Sequence, residues 1–136
     1  MNKLKTVLLI DDDEATNFIN KLLIDKFNIT DQLLVARNGR EALEVLQKCA
    51  AQEQEASKLP ELILLDINMP VMDGFEFLEA YSRLLLPEKE SVVIAVLTTS
   101  LNPKDMQRVN DLGITDFLNK PLNKDSLQNL MQKHYA

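Results

Sequence analysis

One cysteine, Cys49, stands in 136 residues, so no disulfide can form within the chain. That excludes the cross-linked frameworks of small secreted domains and fits a reducing compartment. Cys49 falls on the apolar stripe of an expected helix and reads as a structural thiol rather than a reactive one. No apolar run approaches the roughly 18 residues that a membrane span requires. The basic start, Met1-Asn2-Lys3-Leu4-Lys5, leads into a short apolar stretch that aspartates end, which is a strand and not a signal peptide. The cytoplasm is therefore the expected location. Positive charge is also scarce: a formal net charge of -6 gives no electrostatic footprint for direct nucleic-acid binding. The lone histidine, His134, falls in an expected frayed terminus, where no role is expected of it. Its isolation argues against a self-contained histidine phosphotransfer site. Repeats and low-complexity segments are missing too. The expectation from the remaining composition is one globular domain over residues 1–136, able to bury roughly 68% of its unfolded surface, with no output domain.

What is present is a regular alternation of strand and helix. Strands are expected at Thr6–Ile10, Gln32–Ala36, Glu61–Leu65, Val92–Leu97 and Thr115–Leu118, each short and bounded by turn or charged residues. Between them, Ala15, Phe18, Ile19, Leu22 and Leu23 recur at helical spacing and predict a first amphipathic helix. Asn38 opens a second with Glu41 three residues on, and Ala42, Val45, Leu46, Cys49 and Ala50 mark its apolar face. Asp73 and Glu76 form a capping box for a third, with Phe77, Leu78, Tyr81 and Leu85 expected to face inward. Asn102-Pro103 starts a fourth, which Gly113 ends in a left-handed cap. Asn123 opens the last, carrying Leu127, Leu130 and Met131. The polar stretch from Ala51 to Pro60 reads as an exposed helix tail and loop. The expected fold is a doubly wound five-stranded parallel sheet with five helices, covered on both faces.

Two acidic positions then stand out. Asp11-Asp12-Asp13 follows the first strand and Asp66 ends the third. Clustered carboxylates at the ends of buried strands are costly unless neutralised, because each resists desolvation and they repel one another. A divalent cation resolves this, and oxygen-only ligands suit Mg²⁺. In a doubly wound sheet such groups converge at the carboxyl edge, where Thr98 ends the fourth strand and Lys120 follows the fifth. Carboxylates, a hydroxyl and an ammonium on one edge match the needs of phosphoryl transfer, with Asp66 as the natural nucleophile. Asp13 reads as a helix cap.

These pieces resemble a response-regulator receiver domain along nearly the whole chain. They are the strand running into Asp11-Asp12, Leu65-Asp66-Ile67-Asn68-Met69-Pro70 leading to Met72-Asp73-Gly74, the strand end Leu97-Thr98-Thr99, and Lys120-Pro121. The resemblance implies a flavodoxin-like strand order 2-1-3-4-5 and phosphorylation of Asp66 by a histidine kinase or phosphotransfer protein. It implies that Asp12 binds Mg²⁺ directly, that Asp11 acts largely through metal-bound water, and that the Asn68 backbone carbonyl completes the protein ligands with Asp66. Thr98 and Lys120 would pair with phosphoryl oxygens, Pro121 would follow a cis peptide, and Phe117 would fill the space Thr98 vacates. Phe117 lacks the hydroxyl of the tyrosine common there, and Thr99 is larger than the alanine or glycine often found; Asn68 and Ser100 sit where dephosphorylation is tuned. The output would be a protein contact through the fourth helix, fifth strand and fifth helix, with Lys104, Arg108, Asn119 and Lys124 contributing. Homodimerisation through that face stays open. Such a protein catalyses only its own phosphorylation and dephosphorylation.

Two other classes remain beside this one. A degenerate receiver would act as a phosphorylation-independent binding module. An aspartate-nucleophile phosphohydrolase of haloacid-dehalogenase type is compatible with the carboxylate spacing in Asp11-Asp12-Asp13, although the chain is short for that family and lacks a recognisable cap insertion.

Overall fold

The computed structural model describes residues 3–51, 59–67, 72–86, 89–98, 102–114 and 116–135. Five strands and five helices alternate: β1 (Leu4–Ile10), α1 (Glu14–Lys26), β2 (Thr30–Ala36), α2 (Gly39–Ala51), β3 (Leu62–Asp66), α3 (Gly74–Arg83), β4 (Val93–Thr98), α4 (Pro103–Asp111), β5 (Asp116–Asn119) and α5 (Lys124–Tyr135). All sheet pairings are parallel, in the order β2-β1-β3-β4-β5. The strands match expectation to within two residues at either end. Thr115 and the polar stretch 52–58 lie outside the described residues.

Every residue of β3 is buried, as a central strand covered on both faces requires. Side chains alternate between two cores. Leu8, Ile10, Ile63, Leu65 and Val96 pack with Ala42, Leu46, Phe77, Leu78 and Val109 on one face. Val7, Leu9, Leu64, Ala95 and Leu97 pack with Ile24, Leu127, Leu130 and Met131 on the other. The caps form as the sequence requires. Asp73 makes a reciprocal capping box with Glu76, Asn102 accepts from the Lys104 amide with Pro103 behind it, and Gly113 adopts φ 87°.

Helix α1 is rotated away from expectation. Phe18, Ile19 and Leu22 are exposed at 64%, 55% and 54%, while Asn20 and Ile24 are buried. The helix offers two stripes of similar period, and a polar contact selects between them. Asn17 Nδ2 donates to the Asp11 carbonyl at 2.8 Å, which turns residues 17, 20 and 24 towards the sheet and the stripe of Phe18 and Leu22 outwards. Leu85 is a second correction: it is fully exposed rather than inward-facing. Helix α3 ends at Arg83 and Leu84 is extended (ψ 136°), so the helical period does not reach residue 85. His134 is a third. It is not frayed but helical, with Nε2 3.0 Å from an Asp116 oxygen at the start of β5.

Among the described residues, no helix is long and apolar enough to cross a membrane.

Candidate functional site

Strand register brings the acidic and basic residues to one level. Ile10 pairs with Leu65, so Asp11 and Asp66 are the next residues on adjacent strands. Asp66 pairs with Leu97, which places Thr98 one step beyond, and Thr98 pairs with Asn119, which places Lys120 likewise. Four residues far apart in sequence thus meet at the carboxyl edge of the sheet, the position where doubly wound folds bind ligands.

Asp11 is fully buried and held from two sides. Its Oδ1 accepts from the Asp13 amide at 3.0 Å, and its Oδ2 lies 2.8 Å from Lys120 Nζ. The same ammonium is 3.3 Å from Asp66 Oδ2. Burial alone would lower the pKa of Lys120, but the hydrogen bond to Asp11 and the charges of Asp66 and Asp11 outweigh it and hold the ammonium above its ordinary range. The group is therefore cationic throughout the physiological range. Asp13 caps α1 by accepting from the Thr16 amide and hydroxyl, the hydroxyl bond first among the causes that hold its carboxyl below the usual range. The Lys120–Pro121 peptide is cis, and the Lys120 amide donates to the Thr98 carbonyl at 2.9 Å. Thr98 itself is buried. Phe117 is half-buried on β5, in register with Val96, two residues short of Thr98 on β4.

Oxygens of Asp11, Asp12 and Asp66 lie within 4.8 Å of one another. Asp12 is exposed, so a hydrated ion can reach the group from solvent. Three carboxylates with no nitrogen or sulfur donor fit a hard divalent cation rather than zinc. Asn68, Thr99 and Ser100 lie outside the described residues.

Two features escaped the sequence. The first is a cavity of about 440 Å³ that runs past Asp11, Asp66 and Lys120 to Thr16, Ile19, Asn20 and Pro121. The second is the apolar stripe of Phe18, Ile19 and Leu22 at its rim, whose Ile19 also lines the cavity. Both follow from the rotation of α1, and the only sequence signal for it was a polar residue, Asn20, beside an otherwise plausible apolar stripe. On the expected output face, Lys104, Asn119 and Lys124 are exposed. Arg108 is exposed but committed to α3: its guanidinium lies 4.1 Å over the Phe75 ring and 3.8 Å from Glu79.

A flavodoxin-like sheet with this acid-and-lysine edge defines a receiver-type signalling domain rather than a nucleotide-binding one. The family model of the response regulator receiver domain matches residues 7–132, and the chain belongs to that family. Response regulator Rcp1 of Synechocystis is 32% identical over 131 residues, covering 96% of this chain and 86% of that protein. Hybrid signal transduction histidine kinase B of Dictyostelium discoideum is 38% identical over 97% of this chain, which spans only 7% of that protein. Among solved structures, a two-component response regulator from Cytophaga hutchinsonii superposes with a TM-score of 0.85 at 29% identity, covering 97% of both chains. The chemotaxis response regulator CheY4 of Vibrio cholerae gives 0.75 at 29% identity, covering 96% of this chain and 98% of that one. This chain is thus a receiver domain of two-component phosphorelay signalling. Such domains are in general signal transducers rather than enzymes, and they interact with histidine kinases or phosphotransfer proteins.

Proposed function

We propose that this protein accepts a phosphoryl group on Asp66 from a histidine kinase or phosphotransfer protein, with Mg²⁺ bound by Asp11, Asp12, Asp66 and the Asn68 carbonyl. The observation that carries this reading is the placing of Lys120 Nζ between Asp11 and Asp66, 2.8 Å from one and 3.3 Å from the other. Two carboxylates there share one fixed ammonium, in a cavity open to solvent.

The chain's own residues divide the work. An Asp66 carboxylate oxygen attacks phosphorus in line, and the bond to the donor's leaving atom breaks with its electron pair. Lys120 pairs with one phosphoryl oxygen, and the Thr98 hydroxyl donates to another. Asp11, Asp12 and Asp66 would hold a divalent cation, which would supply neutralising charge for phosphoryl transfer. The exposed stripe of Phe18, Ile19 and Leu22 is the docking surface for the donor protein. Its Ile19 lines the cavity that also holds Asp66, and an apolar stripe in water favours a partner that covers it.

Phosphorylation makes Asp66 carry about two negative charges in place of one and adds acceptor oxygens. Thr98 and Lys120 are drawn towards them, Phe117 turns into the space that Thr98 leaves, and the face formed by α4, β5 and α5 changes shape for a downstream protein. With no hydroxyl on Phe117, the readout is ring burial. The proposed setting is the cytoplasm, where Cys49 stays reduced.

Incubation with acetyl phosphate and Mg²⁺, followed by intact mass and mapping of the modified residue, tests the reading. One phosphoryl adduct on Asp66 that requires Mg²⁺ is expected. No adduct under conditions that label a control receiver would point to a phosphorylation-independent binding module. Continuous phosphate release with turnover would point to a phosphohydrolase.

A further inference from the structure

Asp12 is the member of the acidic cluster with least to hold it. Asp11 is fixed through its amide, which donates to the Ala36 carbonyl at 3.0 Å. Both its carboxylate oxygens are held too, one by the Asp13 amide at 3.0 Å and one by Lys120 Nζ at 2.8 Å. Asp66 shares the same ammonium. Asp12 is exposed, and its side chain makes no hydrogen bond or ion pair among the described residues. A carboxylate oxygen of Asp12 still lies within 4.8 Å of oxygens of the other two. The backbone therefore has to place it.

The peptide that leads into Asp12 is held from α1. The ladder between β1 and β3 stops at the Ile10–Leu65 pair, so the carbonyl of the fully buried Asp11 depends on a donor from outside the sheet. Asn17 Nδ2 is that donor, at 2.8 Å. Because a peptide unit is planar and rigid, a fixed carbonyl fixes the plane of the Asp11–Asp12 peptide and the position of the Asp12 Cα. The amide of Asn17 is itself oriented by chemistry. Its Oδ1 is buried without a partner, and so is Nδ2 of Asn20, three residues on. Residues at that spacing are neighbours on a helix face, so an acceptor there suits the donor of Asn20 while the nitrogen is left for Asp11.

We propose that Asn17 is a positioning residue for the divalent cation: by holding the Asp11 carbonyl, it aims the Asp12 carboxylate into the acidic cluster. This role rests on the reading that Asp11, Asp12 and Asp66 bind Mg²⁺. An exposed aspartate on a loose backbone has to be ordered when the ion arrives, and that ordering costs affinity. A backbone already fixed by α1 removes much of that cost. The contact also docks α1 on the sheet, so a loss of stability alone does not distinguish the two roles.

The test titrates Mg²⁺ into the full chain, followed by NMR chemical shifts, for the wild type, Asn17→Leu, Asp12→Ala and the double variant. Asn17→Leu keeps the shape of the side chain and removes the donor. It should weaken Mg²⁺ binding about tenfold, the lower end of what losing an outer partner of a metal ligand costs. In the Asp12→Ala background the same change should weaken binding by less than about twofold, because the carboxylate it aims is gone. Asn17→Ser, too short to reach the carbonyl, should behave alike and serves if the leucine variant does not fold. Melting in EDTA measures the structural part separately. A lower melting temperature with Mg²⁺ affinity held at the wild-type value would show that Asn17 only docks α1, and would overturn the role. Equal weakening in both backgrounds would overturn it too, since Asn17 would then act without Asp12. If the wild type itself binds no Mg²⁺, it is the reading of the acidic cluster as a metal site that has failed, and the role falls with it.

Discussion

Lys120 Nζ sits 2.8 Å from Asp11 Oδ2, so an ammonium holds a carboxylate that is fully buried at the end of a different strand. This ion pair competes with any cation for the acidic cluster. Removing the lysine and removing a carboxylate should therefore have opposite effects on Mg²⁺ affinity. Lys120→Met should tighten binding at least about tenfold, since one unit charge a few ångströms away through an effective dielectric near 20 is worth up to about 4 kcal/mol. Asp12→Ala should weaken it by a similar factor. Magnesium titration by calorimetry checks both, and two shifts of the same sign would show that the lysine and the ion do not share the site.

Asp66 is the carboxylate expected to carry the phosphoryl group. Asp66→Asn keeps size and hydrogen bonding but removes the nucleophilic charge. Acetyl phosphate should then give no stable adduct, while the folded state persists by circular dichroism. Label retained on the variant at position 66 or at Asp12 would reassign the acceptor.

How legible this was in the sequence differs by element. The five strands were legible because each is short, apolar and ended by charge, and their register then delivers Asp11, Asp66, Thr98 and Lys120 to one edge. The capping residues were legible because their side chains act locally: Asp13, Asn38, Asp73, Asn102 and Asn123 all accept from amides in the first turn. The rotation of α1 was not, because two stripes have the same period and the choice is made by Asn17 bonding the Asp11 carbonyl. Hydrophobic pattern alone favoured the wrong stripe, and its outward placing is what makes it available to a partner. His134 was misjudged for a similar reason, since Asp116 is its neighbour only after β5 and α5 have packed.

The exposed stripe on α1 makes its own prediction. Phe18→Ala and Leu22→Ala remove side chains that are 64% and 54% exposed, so stability should change by no more than about 0.5 kcal/mol. If the stripe docks the donor protein, phosphoryl transfer from a phosphohistidine protein should slow at least about tenfold relative to labelling by acetyl phosphate. A large loss of stability would show instead that these residues are part of the core. An unchanged transfer rate would remove the docking role.

Gly39 and Gly74 flank the segment after Asp66, and their tolerance of alanine should differ. A Cβ on Gly39 would meet Met72 Cγ at 2.7 Å and Sδ at 2.9 Å, atoms of a flexible side chain, although the Met72 carbonyl at 3.0 Å limits the relief. A Cβ on Gly74 would meet Ile67 Cα at 2.7 Å and the Asp66 carbonyl at 3.0 Å, both backbone. Alanine gains up to about 1 kcal/mol over glycine in a helix, which can offset the first clash but not the second, where overpacking costs about 1–3 kcal/mol. Urea denaturation should find Gly39→Ala near wild type and Gly74→Ala clearly destabilised. Because Gly74 backs directly on the Asp66 peptide, its variant should also label more slowly with acetyl phosphate.

At the opposite end of the sheet, Tyr135 donates to the Glu61 carbonyl at 2.8 Å and ties the last turn of α5 to the start of β3. Burial first, then the charges of Glu61 and Asp116, push its pKa from 10.0 to about 12. The folded state thus keeps the phenolic proton over a range in which the unfolded chain loses it. The resulting stabilisation is complete below pH 10 and is lost as pH rises towards 12. The raised pKa of Lys120 acts in the same direction, so part of the alkaline loss does not depend on Tyr135. Tyr135→Phe should cost about 1 kcal/mol at neutral pH for the missing hydrogen bond. It should also make the fall in stability above pH 10 shallower without abolishing it. Urea midpoints measured from neutral pH upwards check both parts. An alkaline arm as steep as that of the wild type would show that the hydroxyl ionises as freely in the folded protein as in the unfolded chain.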